Sequence, residues 1–175
     1  MYSHIIEQSP FLTELKKCCS YFLIGGCLRN TQFNIPIKDY DCLVENIKDE
    51  KRYNDLIGIC QKNKMDGWKY TNEPKNIDIF YFKTTFLTKL NINIENPVDF
   101  LQYCFFNMYC ILYDVHCHKI IKHKNYLDFE KTKKMDINFP HTFILNKQYQ
   151  KMLKYQQYFS CSENTLAFFK NNLKK

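Results

Sequence analysis

IGGCLRNTQFNIPIKDYDCLV, residues Ile24 to Val44, runs from a double glycine through an arginine to two aspartates one residue apart. Without Cβ atoms, Gly25 and Gly26 let the backbone approach a phosphate closely and aim N–H groups at it, particularly if a helix begins at Cys27 to Arg29. Arg29 adds a guanidinium suited to a triphosphate or to a structural carboxylate. On a strand, residues i and i+2 share a face, so Asp39 and Asp41 present two carboxylates side by side while Tyr40 and Cys42 face the other way. Such carboxylates repel each other unless a hard cation lies between them, and Mg²⁺ takes one or two carboxylates together with phosphate oxygens. Taken singly, a Gly-Gly is most often a turn and alternating acids a solvated edge strand. In sequence they read as a place where a metal ion meets a triphosphate.

A third acid strengthens that reading. Asp78 alternates with Ile77 and Ile79 in the apolar strand Ile77 to Phe82, where an isolated carboxylate costs several kcal/mol unless paired or metal-bound.

The surrounding chain reads as one α/β domain. Ser9-Pro10 followed by Phe11, Leu12, Leu15, Cys18 and Cys19 is a capped amphipathic helix. Tyr21 to Ile24 and Tyr40 to Val44 are strands, Asp49 to Lys64 a polar helix, and Gly67 to Thr71 and Ile77 to Phe82 further strands separated by turn residues. After Pro97 the apolar run VDFLQYCFFNMYCILYD predicts a buried helix from about Val98 to Tyr109 leading into a strand near Ile111 to Val115. Lys119 to Lys122 is then the returning arm of a hairpin and Tyr126 to Lys133 a helical turn. Two helices close the chain, around Phe143 to Phe159 and Ser162 to Leu173.

The 175 residues suffice for one domain with a real core. Lys and Arg number 25 against 18 Asp and Glu, a formal charge of +7, which favours anionic partners over cationic ones. Only Arg29 and Arg52 are arginine, and the lysines are spread along the chain, as in a solvated coat. The nine cysteines are scattered through apolar runs without a C-x-x-C pair, and no signal-peptide pattern precedes them. Reduced thiols and a cytoplasmic protein are therefore expected, rather than a disulfide scaffold or zinc ribbon. The apolar stretches fall short of a membrane span.

The opening stretch resembles the catalytic head of the class II CCA-adding enzymes and bacterial poly(A) polymerases, in the DNA polymerase β nucleotidyltransferase superfamily. The head motif of that family reads approximately GGxVRDxLLGRxxxDxD. Gly25, Gly26, Leu28 and Arg29 fall on its first part, and Asp39 and Asp41 on its last, without insertion or deletion; Pro36-Ile37-Lys38 looks like the loop leading into the acids. A second motif, approximately RRDFTINAMAYD, aligns with Tyr103 to Asp114 and retains Phe106, Tyr113 and Asp114. Tyr103, Cys104 and Phe105 replace the Arg-Arg-Asp that contacts ribose and triphosphate in the family, so those contacts do not carry over. Asn30 stands where the family has Asp.

The resemblance covers about Phe11 to Lys134. It implies a nucleotidyltransferase fold, a mixed β-sheet flanked by helices, with residues 1–134 as the head domain and 135–175 as a helical extension packed on it. By the same resemblance Gly25, Gly26, Arg29 and Lys38 hold a nucleoside triphosphate, and Asp39 and Asp41 bind two Mg²⁺ ions, Mn²⁺ being able to replace them. Asp78 is the general base or a further ligand. The implied reaction transfers a nucleoside monophosphate to a hydroxyl, an RNA 3′ end being the favoured acceptor. The remaining forty or so residues cannot supply the neck, body and tail that hold tRNA in the family, which leaves the acceptor, the preferred triphosphate and the oligomeric state open.

Other patterns compete. A nucleotide-binding or interaction module that has kept the fold without activity fits the missing Arg-Arg-Asp, and a small RNA-binding protein fits the charge and the aromatic content. Asp114, His116 and His118, with His123 nearby, could form a transition-metal face or a solvent-facing hairpin. The aromatic run Phe100 to Tyr109 fits a core helix better than a base-stacking platform. The carboxyl-terminal KYQQYF and FFKNNLKK read first as packing helices and second as nucleic-acid contacts.

Overall fold

Ser9-Pro10 starts a helix as the sequence predicts. In the computed structural model, which describes residues 2–63, 66–84, 86–141 and 144–173, Ser9 Oγ accepts the Leu12 N–H at 3.1 Å and caps α2 (Pro10–Cys18). Pro10 occupies the first turn, where its missing N–H leaves nothing unsatisfied. Glu73 reinforces the cap from a distant loop, accepting from Ser9 Oγ at 2.6 Å and from the Phe11 N–H at 2.8 Å. A short helix, α1 (Ser3–Glu7), precedes it without having been predicted.

The buried face of α2 packs on β1 (Cys19–Ile24) and on α4 (Glu50–Gly58). β1 pairs antiparallel with β2 (Asp39–Ile47), and β2 pairs parallel with β5 (Asn76–Tyr81). A seven-stranded mixed sheet results, in the order β3 (Gln61–Lys62), β4 (Trp68–Tyr70), β5, β2, β1, β6 (Ile111–Asp114), β7 (Lys119–Lys122). Leu23, Cys42, Leu43, Val44, Ile77 and Ile79 are wholly buried in its central strands, each apolar side chain contributing roughly 1.5–3 kcal/mol by leaving water. α3 (Gly26–Gln32) lies against β1, β2 and β6. The polar helix from Asp49 is shorter than predicted, ending at Gly58 before β3; Lys64, at the end of the predicted span, is outside the described residues.

Two compact units divide the chain: residues Met1–Phe100 with Ile111–Ile121, and Leu101–Cys110 with Lys122–Lys175. The first holds the sheet and helices α1 to α4. The second contains α5 (Lys124–Thr132), α6 (Leu145–Tyr155) and α7 (Glu163–Asn172), with a two-stranded parallel pair of β8 (Lys134–Met135) and β9 (Ser160–Cys161). Phe105, Phe106, Tyr126, Phe129, Met135 and Phe169 form its core. Of the predicted helix Phe143 to Phe159, Phe143 is outside the described residues.

The continuous helix expected from Val98 to Tyr109 does not form. A 3₁₀ segment (Pro97–Tyr103) gives way to extended backbone at Phe106 and a single 3₁₀ turn (Asn107–Tyr109). Competition for the backbone groups explains this. Asn138 Nδ2 donates to the carbonyls of Leu101, Gln102 and Cys104, and the Asn138 N–H to that of Phe105. Asn107 exchanges backbone and side-chain bonds with Lys134 and Asp136. Carbonyls that a helix would use internally are taken by residues thirty positions away.

Gly67 shows how closely the strands before and after the 71–75 turn approach. A Cβ there would lie 2.4 Å from the Ile79 carbonyl oxygen and 2.6 Å from Phe80 Cδ1. Gly67→Ala is expected to lower the unfolding free energy by about 1–3 kcal/mol, read from urea denaturation; an unchanged midpoint would contradict this approach.

Candidate active site

The site is assembled by strand register. In the parallel β2–β5 pair, Asp41 lies beside Asp78 and Asp39 beside Asn76, while across the antiparallel β1–β2 pair Asp41 faces Ile24. Registered neighbours share a face, so Asp39, Asp41 and Asp78 all project from one side of the sheet. All three are half-buried. Tyr40, Cys42, Ile77 and Ile79 occupy the other side and are buried.

Asp78 has partners that the sequence reading missed. Asn63 Nδ2 donates to its Oδ1 at 3.1 Å, and Lys69 Nζ lies 3.8 Å from Oδ2. Lys69 reaches it because the β4–β5 register sets Lys69 opposite Asp78 and Tyr70 opposite Ile77; counting back across the 71–75 turn would have found this. Among the described residues no lysine or arginine pairs with Asp39.

Directly after Ile24, at the end of β1 that faces Asp41, Gly25 adopts φ 60°, ψ −108°, a conformation that favours glycine. Its N–H donates to the Ile111 carbonyl at 3.0 Å, and α3 begins at half-buried Gly26. Cys27, in the first turn of α3, is buried beside the acids. Loss of solvent, reinforced by the charge of Asp41, pushes its thiol up to about 12.

Arg29 is fully buried. Its Nε and Nη2 both donate to Asn30 Oδ1, at 3.0 and 2.5 Å, while Asn30 Nδ2 donates to the Pro36 carbonyl at 2.8 Å. Because Arg offers only donors and a carbonyl only acceptors, both ends of the Asn30 amide are fixed. The Asn30 carbonyl also accepts from the Ile35 N–H at 2.9 Å. One residue thus ties the arginine to the loop that delivers Asp39. Lys38, directly before Asp39, is exposed.

Among the described residues no group of three or more His, Cys, Asp and Glu side chains is gathered closely enough to hold a metal ion. The three acids share a face without converging on a point. Their chemistry nevertheless suits Mg²⁺, since two adjacent all-oxygen donors leave coordination places for phosphate oxygens and water.

The histidine pattern resolves as structure. Asp114 Oδ1 accepts the N–H groups of His116 and Cys117, both at 2.9 Å, which closes the β6–β7 turn. His116 Nε2 lies 2.9 Å from the Cys19 carbonyl oxygen, and His118 Nδ1 2.8 Å from the Tyr113 hydroxyl. His123 caps α5. Tyr103, Cys104 and Phe105 are packing residues of the second unit: Tyr103 meets Phe139 edge-on with centroids 5.2 Å apart, and Cys104 and Phe105 are buried.

No family model and no curated relative matches the sequence. Solved structures do. A tRNA-processing enzyme in an apo form superposes with a TM-score of 0.63 at 14% identity, over 99% of this chain and 47% of that one. The Thermotoga maritima CCA-adding enzyme complexed with tRNA gives 0.62 at 15% identity, over 96% and 40%. A tRNA nucleotidyltransferase complexed with a primer tRNA and an incoming ATP analog gives 0.61 at 14%, over 99% and 50%. The fold is that of the tRNA nucleotidyltransferases. The chain spans half the length of these nucleotidyltransferases or less. Among its described residues no helix is long and apolar enough to cross a membrane.

Cys27 gives the site a pH signature. Its thiol is neutral in both folded and unfolded states below the ordinary value of 9.0, but between 9.0 and about 12 only the unfolded chain ionises. Its contribution is therefore intact below pH 9 and is lost as pH rises toward 12. Urea melts at stepped pH should show stability falling across this window, with a shallower fall in Cys27→Ala; identical slopes would place the thiol in a more polar setting.

Proposed function

We propose that this chain is a Mg²⁺-dependent nucleotidyltransferase that moves a nucleoside monophosphate from a nucleoside triphosphate to a hydroxyl, with an RNA 3′ end as the favoured acceptor. The observation that carries this reading is the pair Asp39 and Asp41 on one face of β2, within a fold shared with proteins solved with tRNA, CTP and an ATP analog. The +7 charge agrees with a polyanionic acceptor.

Asp39 and Asp41 would hold two Mg²⁺ ions, for which Mn²⁺ could substitute. When bound, the metal supplies charge neutralisation for the triphosphate and a lowered pKa for the attacking hydroxyl. Gly25 and Gly26 leave the space for the phosphates to approach the backbone, and Lys38 adds positive charge beside them. Arg29 supports that arrangement from within, through Asn30 and the 33–38 loop. Asp78, held by Asn63 and Lys69, accepts the hydroxyl proton or completes the ligand set.

A second reading rests on Tyr103, Cys104 and Phe105, whose packing role leaves no Arg-Arg-Asp for ribose and triphosphate: a silent module that binds nucleotide without transfer. Turnover separates the two. The wild-type chain, given α-labelled triphosphates, Mg²⁺ and total RNA, should label RNA. Asp39→Asn or Asp41→Asn should abolish labelling while metal-free thermal stability stays unchanged or rises slightly, because each substitution relieves like-charge repulsion. Near wild-type turnover in either variant would remove the metal site, and no label with wild type would favour the silent module.

A further inference from the structure

The net charge of the chain lies in one of its two units. The first unit carries 14 Lys and Arg against 14 Asp and Glu; the second carries 11 lysines against four acids. A coat of lysines serving solubility would accompany acids in both units, as it does in the first. In the second, no Asp or Glu occurs between Asp136 and Glu163, a stretch that contains all of α6. Two of the four acids are also committed elsewhere. Asp136 Oδ1 accepts from Ser162 Oγ at 2.6 Å, from Thr165 Oγ1 at 3.1 Å and from the Ile137 N–H at 2.9 Å. Glu130 pairs with Lys122 at 2.7 Å.

Helix geometry concentrates the excess. Lys147, Lys151 and Lys154 stand at i, i+4 and i+7 on α6, on one face and along a row of about 10 Å. Lys147 and Lys154 are exposed. Lys151 is half-buried, with its Nζ 5.2 Å from the Tyr109 ring centroid, so aromatic contact fixes its stem while the ammonium group keeps its charge. Buried Met152 and Tyr155 hold the helix from a neighbouring face.

We propose that the lysine row of α6 is an RNA-binding surface that grips the phosphate backbone without reading sequence. The choice of RNA over other polyanions rests on the transferase reading, in which an RNA end is the acceptor. Such a row would retain the acceptor between successive encounters with the carboxylate face, and its affinity would fall with salt as counterions are taken up again.

The test measures binding alone. Anisotropy of a fluorescein-labelled single-stranded RNA is recorded without nucleotide or divalent metal between about 50 and 200 mM salt. The variant Lys147→Gln/Lys151→Gln/Lys154→Gln keeps helix propensity, and circular dichroism checks its fold. Lys16→Gln/Lys48→Gln/Lys51→Gln, in the first unit, removes the same charge elsewhere. Loss of three phosphate contacts should lower affinity about tenfold or more and reduce the salt slope by about 2, with the control close to wild type. Equal effects of the two triple variants, or stronger binding to anionic lipid vesicles than to RNA, would overturn the proposal. Asp39→Asn should bind RNA like wild type. Lysine-dependent binding without turnover would therefore sink the transferase reading alone, and turnover on RNA with lysine-independent binding would sink this one alone.

Discussion

Parallel pairing of β2 with β5 is the constraint on which the candidate site depends. It fixes Asp41 beside Asp78 and, because β2 is bonded on its other side to β1, leaves neither strand segment free to turn its acids away. A polypeptide in water would separate three like charges. Here backbone hydrogen bonds and the apolar side chains of Tyr40, Cys42, Ile77 and Ile79, buried on the opposite face, hold Asp78 one strand away from Asp41 and Asp39 two residues along the same strand. Lys69, 3.8 Å from Asp78 Oδ2, offsets part of that repulsion.

Around that face, several side chains work on position rather than on chemistry. The Asn30 amide joins Arg29 to the Pro36 carbonyl. An aspartate there would attract the guanidinium more strongly, but could not donate to Pro36. The difference from the family pattern is thus an exchange of charge for a tether on the loop before Asp39. Asn63 and Lys69 do similar work on Asp78 from β3–β4. In the second unit, Asp136, Asn107 and Asn138 organise the backbone where a helix had been expected, and the positions corresponding to Arg-Arg-Asp become aromatic and thiol packing.

What was legible in the sequence was local. The Ser9 cap, the alternation through Asp39 and Asp41 and the glycine turn depend on residues a few positions apart, and the structure has them as read. What was not legible depended on distant partners. Nothing between Val98 and Tyr109 announces that Asn138 takes its carbonyls, and a single apolar run fits a buried helix equally well. The histidines of the β6–β7 turn left a metal face open beside a solvent-facing hairpin, because the Cys19 carbonyl, which engages His116, lies almost a hundred residues away. The distribution of charge was not legible for a related reason: the lysines are spread along the sequence, and only the division into two units reveals that one is neutral and the other strongly basic.

Whether Asp39 and Asp41 form a metal-dependent triphosphate site can be read without any acceptor. Mn²⁺ added to the protein with a nonhydrolysable ATP analog loses its free-ion electron paramagnetic resonance signal as it binds. The wild-type chain should deplete that signal beyond what the analog does alone, whereas Asp39→Asn/Asp41→Asn should leave it at the analog-only level. Equal depletion by both proteins would contradict the two-carboxylate site.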